Sequence, residues 1–285
     1  MSRPALSDLA GGEIPVTVVE PASGWRLPDF RELWRYRDLL FFLALRDLKV
    51  RYKQTALGAT WAVLQPVFTM LVFSVFFGGL AKVPSDGLPY PVFAFAALLP
   101  WQMFSYALNQ SGNSLVANER LLTKVYFPRL LIPLSSVLSG LVDFAIAFVV
   151  LLGLAFWYRI PPTAALLVLP PLVLFVVITA FAVGLWLSAL NVQYRDVRHT
   201  LPFLTQLWLF VTPVAYPSSL VPARYRLVYG LNPMAGVVDG FRWAILKGAP
   251  APGPMLLVSV GTVVILLVGG LIYFRRMERN FADVV

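Results

Sequence analysis

Side chains able to do chemistry are scarce in this chain. It carries one histidine, His199, no cysteine and 14 acidic residues among 285. Metal centres built on several imidazoles or thiolates are thereby excluded, and a histidine base would have to be His199 itself, which stands in a short charged stretch. No Gly-x-x-x-x-Gly-Lys-Ser/Thr, Gly-x-Gly-x-x-Gly or His-Glu-x-x-His occurs. The chain cannot hydrolyse ATP through a P-loop, and we assign it no catalytic residue and no metal ligand.

What it does have is charge set beside apolar surface. Asp143 is the one acid well inside a long apolar run. Burying a charge there costs several kcal/mol, so it demands a partner or a task. Structural pairing is the favoured reading, with proton or ion coupling and a contact between helices of an oligomer as alternatives. Between Asp38 and Lys53, Phe41, Leu45, Leu48 and Tyr52 recur at i, i+4, i+7 and i+11 as one apolar stripe, while Arg46, Lys49 and Lys53 form a separate basic one. Asp47 and Arg51 stand at i, i+4, in the order that supports a helix by a few tenths of a kcal/mol. The pattern predicts an amphipathic helix lying along a membrane interface, whose plainest role is to anchor the chain.

Two further segments concentrate charge: 117–129, with Glu119, Arg120 and Lys124, and 191–200, with Tyr194, Arg195 and Asp196. Taken singly, both read as solvated turns. Aromatic residues make up 14 % of the chain and gather on two apolar runs, as Phe68, Phe73, Phe76 and Phe77 on one and Trp208, Phe210 and Tyr216 on another. In membranes such residues mostly face lipid or form interfacial belts. A conduit lined with aromatic faces would also suit sugars, whose C–H faces pack against rings.

The elements that must position these groups follow from composition. With 59 % hydrophobic and 13 % charged residues and a mean hydropathy of +0.75, the chain has too few polar side chains to cover a water-facing surface. A bilayer core needs about 20 apolar residues in helix, and unpaired backbone excludes open strands. Runs at about 59–81, 90–111, 130–158, 164–190, 200–216 and 255–274 meet that need, the fifth only just and between Pro202 and Pro213. The expected fold is an all-α polytopic membrane protein of six transmembrane helices. It comprises a cytoplasmic arm (1–37), the interface helix with its lead-in (38–58) and the six-span domain (59–285).

With the N-terminus inside, segments 1–58, 112–129, 191–199 and 275–285 hold 9, 3, 2 and 3 of the 23 Lys and Arg residues. That excess places both termini in the cytoplasm. The net charge of +9 lies mostly on this inner face, where anionic lipid attracts it, so no nucleic-acid partner is expected. No secretory signal is visible. Residues 1–28 read as a loosely ordered arm. On the outside, 218–231 and 234–247 are too short to cross and read as re-entrant or interfacial helices within an outer region at 217–254.

The stretch Leu45-Arg-Asp-Leu-Lys-Val-Arg-Tyr-Lys-Gln-Thr-Ala-Leu-Gly-Ala-Thr-Trp61, followed by Pro66, resembles the start of permease subunits of polysaccharide-exporting ATP-binding-cassette transporters. The likeness continues through Leu99-Pro-Trp101, Asn118-Glu-Arg120, Lys124-Val-Tyr-Phe-Pro-Arg129, Tyr194-Arg-Asp-Val197, Leu231-Asn-Pro-Met234 and Phe241-Arg242, covering nearly everything after residue 30. It implies a homodimer in the bacterial inner membrane carrying O-antigen, capsule or teichoic acid, with two copies of a separate P-loop ATPase that bind ATP and Mg. This chain itself needs no cofactor. It further implies that 38–53 is an interface helix, and that Glu119, Arg120, Lys124, Tyr194, Arg195 and Asp196 lie in loops coupled to the ATPase. Spans one and five, with the aromatics named above, would form the conduit, and Arg224, Arg226 and Arg242 belong to an outer gate. Arg46, Lys49, Arg51 and Lys53 are placed to hold the diphosphate of a lipid-linked polymer or to meet the ATPase.

Three other readings are weighed against this one. They are an exporter of another amphipathic cargo, such as a glycolipid or drug, a membrane enzyme of lipid-linked sugars, and an ion-coupled transporter. The acid-poor outer loops disfavour the enzyme, and the lack of an internal repeat disfavours the ion-coupled carrier.

Overall fold

A computed structural model describes residues 30–53, 60–278 and 281. The expected arm at 1–28 and the lead-in after Lys53 lie outside the described residues. The described chain is helical, with no strand: α1 (Phe30–Arg35), α2 (Arg37–Tyr52), α3 (Trp61–Phe73), α4 (Tyr90–Ala117), α5 (Glu119–Lys124), α6 (Leu131–Trp157), α7 (Leu169–Gln193), α8 (Val197–Val211), α9 (Arg226–Tyr229), α10 (Pro233–Ile245) and α11 (Pro254–Met277). Five stretches are long and apolar enough to cross a membrane: Trp61–Leu80, Tyr90–Ala117, Leu131–Trp157, Ala164–Gln193 and Pro254–Met277.

The centre of the bundle is α4, which packs against α3, α6, α7, α8 and α10. Every residue from Val92 to Leu99 is at most 2 % exposed, as a helix surrounded on all sides requires. Close approach rests on small residues, since lipid tails supply no hydrophobic drive between helices. At Gly184 on α7 an added Cβ would lie 2.2 Å from Ser111 Oγ on α4, so α4 and α7 can meet there only over glycine. Where they cross, Asn191 donates to the Gly112 carbonyl at 2.9 Å.

The expected fifth span, 200–216, is a correction in form. Its helical part, α8, has 15 residues and rises about 22 Å, less than the roughly 30 Å of a hydrocarbon core. The segment nevertheless tracks α4 along most of its length. Leu201 lies against Gly112, Asn109 donates to Thr205 at 3.4 Å, the Trp208 ring sits 5.1 Å from Phe104, and Tyr90 donates to the Ala215 carbonyl at 2.7 Å. The crossing is therefore broken: helix to Val211, then non-helical backbone through 212–217. Thr212 and Pro213 end the helix, because proline cannot supply the next amide donor.

The first crossing is also irregular. Beyond Phe73, α3 widens into a π-helical turn at Ser74–Leu80, and Gly78 there lets the Tyr90 ring come within the reach of a Cβ. The segment Trp61–Leu80 is the least buried of the five. The predicted outer pieces appear as short turns at 218–220 and 223–225, then α9, and finally α10. Asn232 caps α10 by accepting from the Met234 amide at 3.1 Å.

A second apolar cluster closes the end of the bundle that carries most of the basic residues. Leu43 of α2, Leu122 of α5, Leu131 of α6, Val192 of α7, Phe274 of α11 and Phe281 meet there. The first and last described helices thus share one end, as an even number of crossings demands.

Candidate functional site

The site is a junction of four helices where α3 begins. The C-terminal turn of α2 does not lie flat along a surface. It rises against α6, so that Arg51 pairs with Asp143, and Tyr52 donates to the same carboxylate. Asp143 is twelve residues into α6, about 18 Å from its basic end. The predicted Asp47–Arg51 pair is replaced: Asp47 accepts from Arg46 at 2.7 Å, and Arg51 turns to the buried acid. Favourable spacing on one helix is worth tenths of a kcal/mol, whereas Asp143 left alone in an apolar run costs far more. The apolar stripe is rotated for the same reason. Leu43, with Tyr36, Leu39 and Leu40, faces the bundle, while Phe41 is 66 % exposed.

Above the ion pair is a cavity of about 240 Å³ walled by α2, α3, α4 and α6. Trp61 and Gln65 contribute from α3, Gln102 and Tyr106 from α4, and Asp143 and Phe144 from α6. The Arg51 guanidinium lies over the Tyr106 ring at 3.8 Å. Gly140 admits that ring, since an added Cβ would stand 2.9 Å from it. A second cavity of about 480 Å³ on the other side of Arg51 and Tyr106 is lined by Arg46, Gln110, Asn118 and Ser136. Arg51 and Tyr106 form the wall between them.

Lys49 on α2 and Lys53 just after it are exposed and in no ion pair among the described residues. The two charged segments both present exposed side chains. Leu122 of α5 is buried while Glu119, Arg120 and Lys124 point outward, and Tyr194, Arg195 and Asp196 are all exposed. The aromatics divide. Phe68, Phe76 and Phe210 are more than half exposed, whereas Phe73 packs inward against Phe77 and Trp208 donates to Asn232 at 2.9 Å. Tyr216 shares a 2.8 Å hydrogen bond with Tyr229.

At the far end, Arg224 lies over the Tyr225 ring and Arg226 donates to the Val221 carbonyl. Arg242 is 4 % exposed. It donates to the carbonyls of Pro213 at 2.6 Å, Val214 at 2.8 Å, Tyr216 at 3.3 Å and Phe93 at 3.4 Å, and lies over the Phe93 ring at 3.5 Å. One guanidinium thus satisfies three of the carbonyls that the broken crossing leaves without helical partners. Burial pulls Arg242 down to about 10, still charged at neutral pH, and pushes the neighbouring Asp239 upward. At the basic end, burial raises Glu278, which stands 3.7 Å from Arg275 and whose carbonyl accepts from Arg129.

Sequence reasoning missed the Arg51–Asp143 contact and the role of Arg242. The signals were present: an unpartnered intramembrane acid, and a basic residue on a mainly apolar stretch, 233–245, whose one other charge is Asp239.

Several crossings around a packed central helix, with exposed charged loops at one end, define a polytopic α-helical membrane protein. The chain belongs to the ABC-2 type transporter family, whose profile matches residues 38–246. It is 34 % identical to the O-antigen export system permease protein RfbA of Myxococcus xanthus, across 89 % of this chain and 97 % of that one. It is 29 % identical to a protein of the same name from Klebsiella pneumoniae, across 87 % and 95 %, and 25 % identical to the polysialic acid transport protein KpsM of Escherichia coli, across 83 % and 92 %. In this family the ATPase is a separate subunit.

Proposed function

We propose that this chain is the membrane-spanning subunit of an ATP-driven exporter that moves a lipid-linked, O-antigen-like polysaccharide across the bacterial inner membrane. The observation that carries this reading is similarity to the Myxococcus O-antigen export permease along almost the whole of both chains. The working unit is a homodimer with two copies of a P-loop ATPase, and ATP and Mg belong to that partner. Both termini and the basic end face the cytoplasm.

The geometry supports each part. The exposed charges of α5 and of 194–196 form a docking surface at the end that also holds α2. The exposed faces of α3 and α8 are apolar surfaces that suit a second copy and the conduit between copies, with Phe68, Phe76 and Phe210 upon them. Among the described residues near the end of α2, Lys49 and Lys53 are the cations left for a lipid diphosphate, because Arg46 and Arg51 are engaged by Asp47 and Asp143.

The test is deletion in the native host, with the permease restored from a plasmid. Surface polysaccharide should vanish on deletion, lipid-linked polymer should accumulate inside, and a P-loop ATPase should copurify with the restored protein. Normal surface polysaccharide in the deletion strain would refute the reading.

A further inference from the structure

The cavity above Arg51 and Asp143 has a chemistry that neither docking nor a conduit lined by exposed aromatics explains. Two carboxamides, Gln65 and Gln102, border it from different helices, and neither side chain makes a hydrogen bond to any described residue. Gln65 is exposed and Gln102 half-buried, so both carboxamides offer donors and acceptors to whatever enters the cavity. Its one cation and one anion are already joined to each other. An incoming phosphate would meet the Asp143 carboxylate, and an incoming cation would meet Arg51. The pocket therefore favours a neutral molecule rich in hydroxyls.

Carboxamides both donate and accept, matching vicinal hydroxyls, and the Asp143 carboxylate retains acceptor capacity beyond its two partners. Trp61 supplies an aromatic face, 50 % exposed. The volume of about 240 Å³ suits one sugar ring rather than a polymer segment. The mouth also leads onward: Trp61, Gln65, Phe68, Val72 and Phe76, at i, i+4, i+7, i+11 and i+15, share one exposed face of the first crossing. On the other side Lys53, exposed, directly follows Tyr52 in sequence.

We propose that this cavity is a subsite for a single neutral sugar, the unit joined to the lipid diphosphate, held by Gln65, Gln102 and Trp61 while Lys49 and Lys53 hold the diphosphate. The assignment rests on the export reading above. It makes the first sugar, and not the charge alone, part of what the permease recognises before transport.

The experiment uses the permease–ATPase complex in lipid nanodiscs and two probes, undecaprenyl diphosphate and the same lipid bearing one N-acetylhexosamine. Dissociation constants are measured for both, and the quantity compared is their ratio, which a reduced fraction of folded protein does not change. Wild type should bind the sugar-bearing lipid more tightly. Gln102→Leu and Trp61→Leu should each shrink that preference about five- to tenfold, the worth of a lost hydrogen bond or ring contact, with the bare lipid unaffected. Gln65→Leu, on the exposed face of α3, is the variant least able to disturb packing and should act in the same direction.

Equal losses for both lipids would overturn the assignment in favour of a diphosphate site. No change in the ratio, or no sugar preference in wild type, overturns it as well, while leaving export standing. If wild type binds neither lipid and neither stimulates ATP hydrolysis, the export reading fails and takes the subsite with it.

Discussion

Arg51, at the last turn of the interface helix, is ion-paired with Asp143, a residue 92 positions later and twelve residues inside the third crossing. The pair fastens the element nearest the basic end to the core of the bundle, and it closes the floor of the sugar-sized cavity. Tyr52 adds a second link to the same carboxylate.

Removing one partner should hurt more than removing both. Asp143→Ala leaves the Arg51 guanidinium without its counterion and should lower stability by about 3 kcal/mol, whereas Arg51→Met with Asp143→Leu should recover much of that loss. Thermal unfolding of the complex in nanodiscs, for both single variants and the double, measures the coupling. Full additivity would show the contact to be energetically idle.

Arg242 should not tolerate its usual substitute. Arg242→Lys keeps the charge but cannot present several N–H groups in a plane to the carbonyls of Pro213, Val214 and Tyr216. Each buried carbonyl left without a donor costs about 1–3 kcal/mol, so the lysine variant should lose at least one such increment. Proteolysis of right-side-out vesicles should then cut faster within 212–231.

Charge reversal on the docking loops should separate assembly from folding. Arg120→Glu and Lys124→Glu alter exposed side chains on the outward face of α5 and should leave the unfolding free energy within about 0.5 kcal/mol of wild type. Copurification of the ATPase should fall several-fold, and salt should weaken the wild-type complex in the same direction. Undiminished copurification with the double variant would place the contact elsewhere.

Glu278 gives a pH signature. Its pKa in the folded protein is raised above the ordinary 4.5 by burial, so folding favours its protonated form. The stability it contributes is fully present below about pH 4.5 and is lost as pH rises through the raised value. Glu278→Gln, neutral at all pH, should stabilise the basic end at pH 7 and flatten the dependence across that window. Hydrogen exchange of α11 amides against pH is the measurement, and a variant less protected than wild type at pH 7 would contradict the assignment.

The crossings were legible because lipid imposes a length and an apolarity that few other structures share, and the charge pattern marked which loops lie together. Membership in the exporter class was legible in runs such as Lys124-Val-Tyr-Phe-Pro-Arg129. The stripe on α2 was not, since periodicity gives a face without saying which neighbour it meets, and Asp143 drew Arg51 inward from a residue 92 positions away. The break in the fifth crossing was foreshadowed by Pro202 and Pro213, yet Pro202 sits inside α8 and only Pro213 coincides with the end of helical backbone. The cavity could not be read at all, because Gln65 and Gln102 become neighbours only once α3 and α4 pack.

The broken crossing carries one more implication. In an intact helix the cost of displacing a turn is spread along a ladder of backbone bonds. Between residues 212 and 217 it falls on a few side chains, above all a guanidinium that reaches three carbonyls from α10. A segment fastened in this way has a pivot, and the place where the bundle can lengthen or open at least expense is the one held by Arg242.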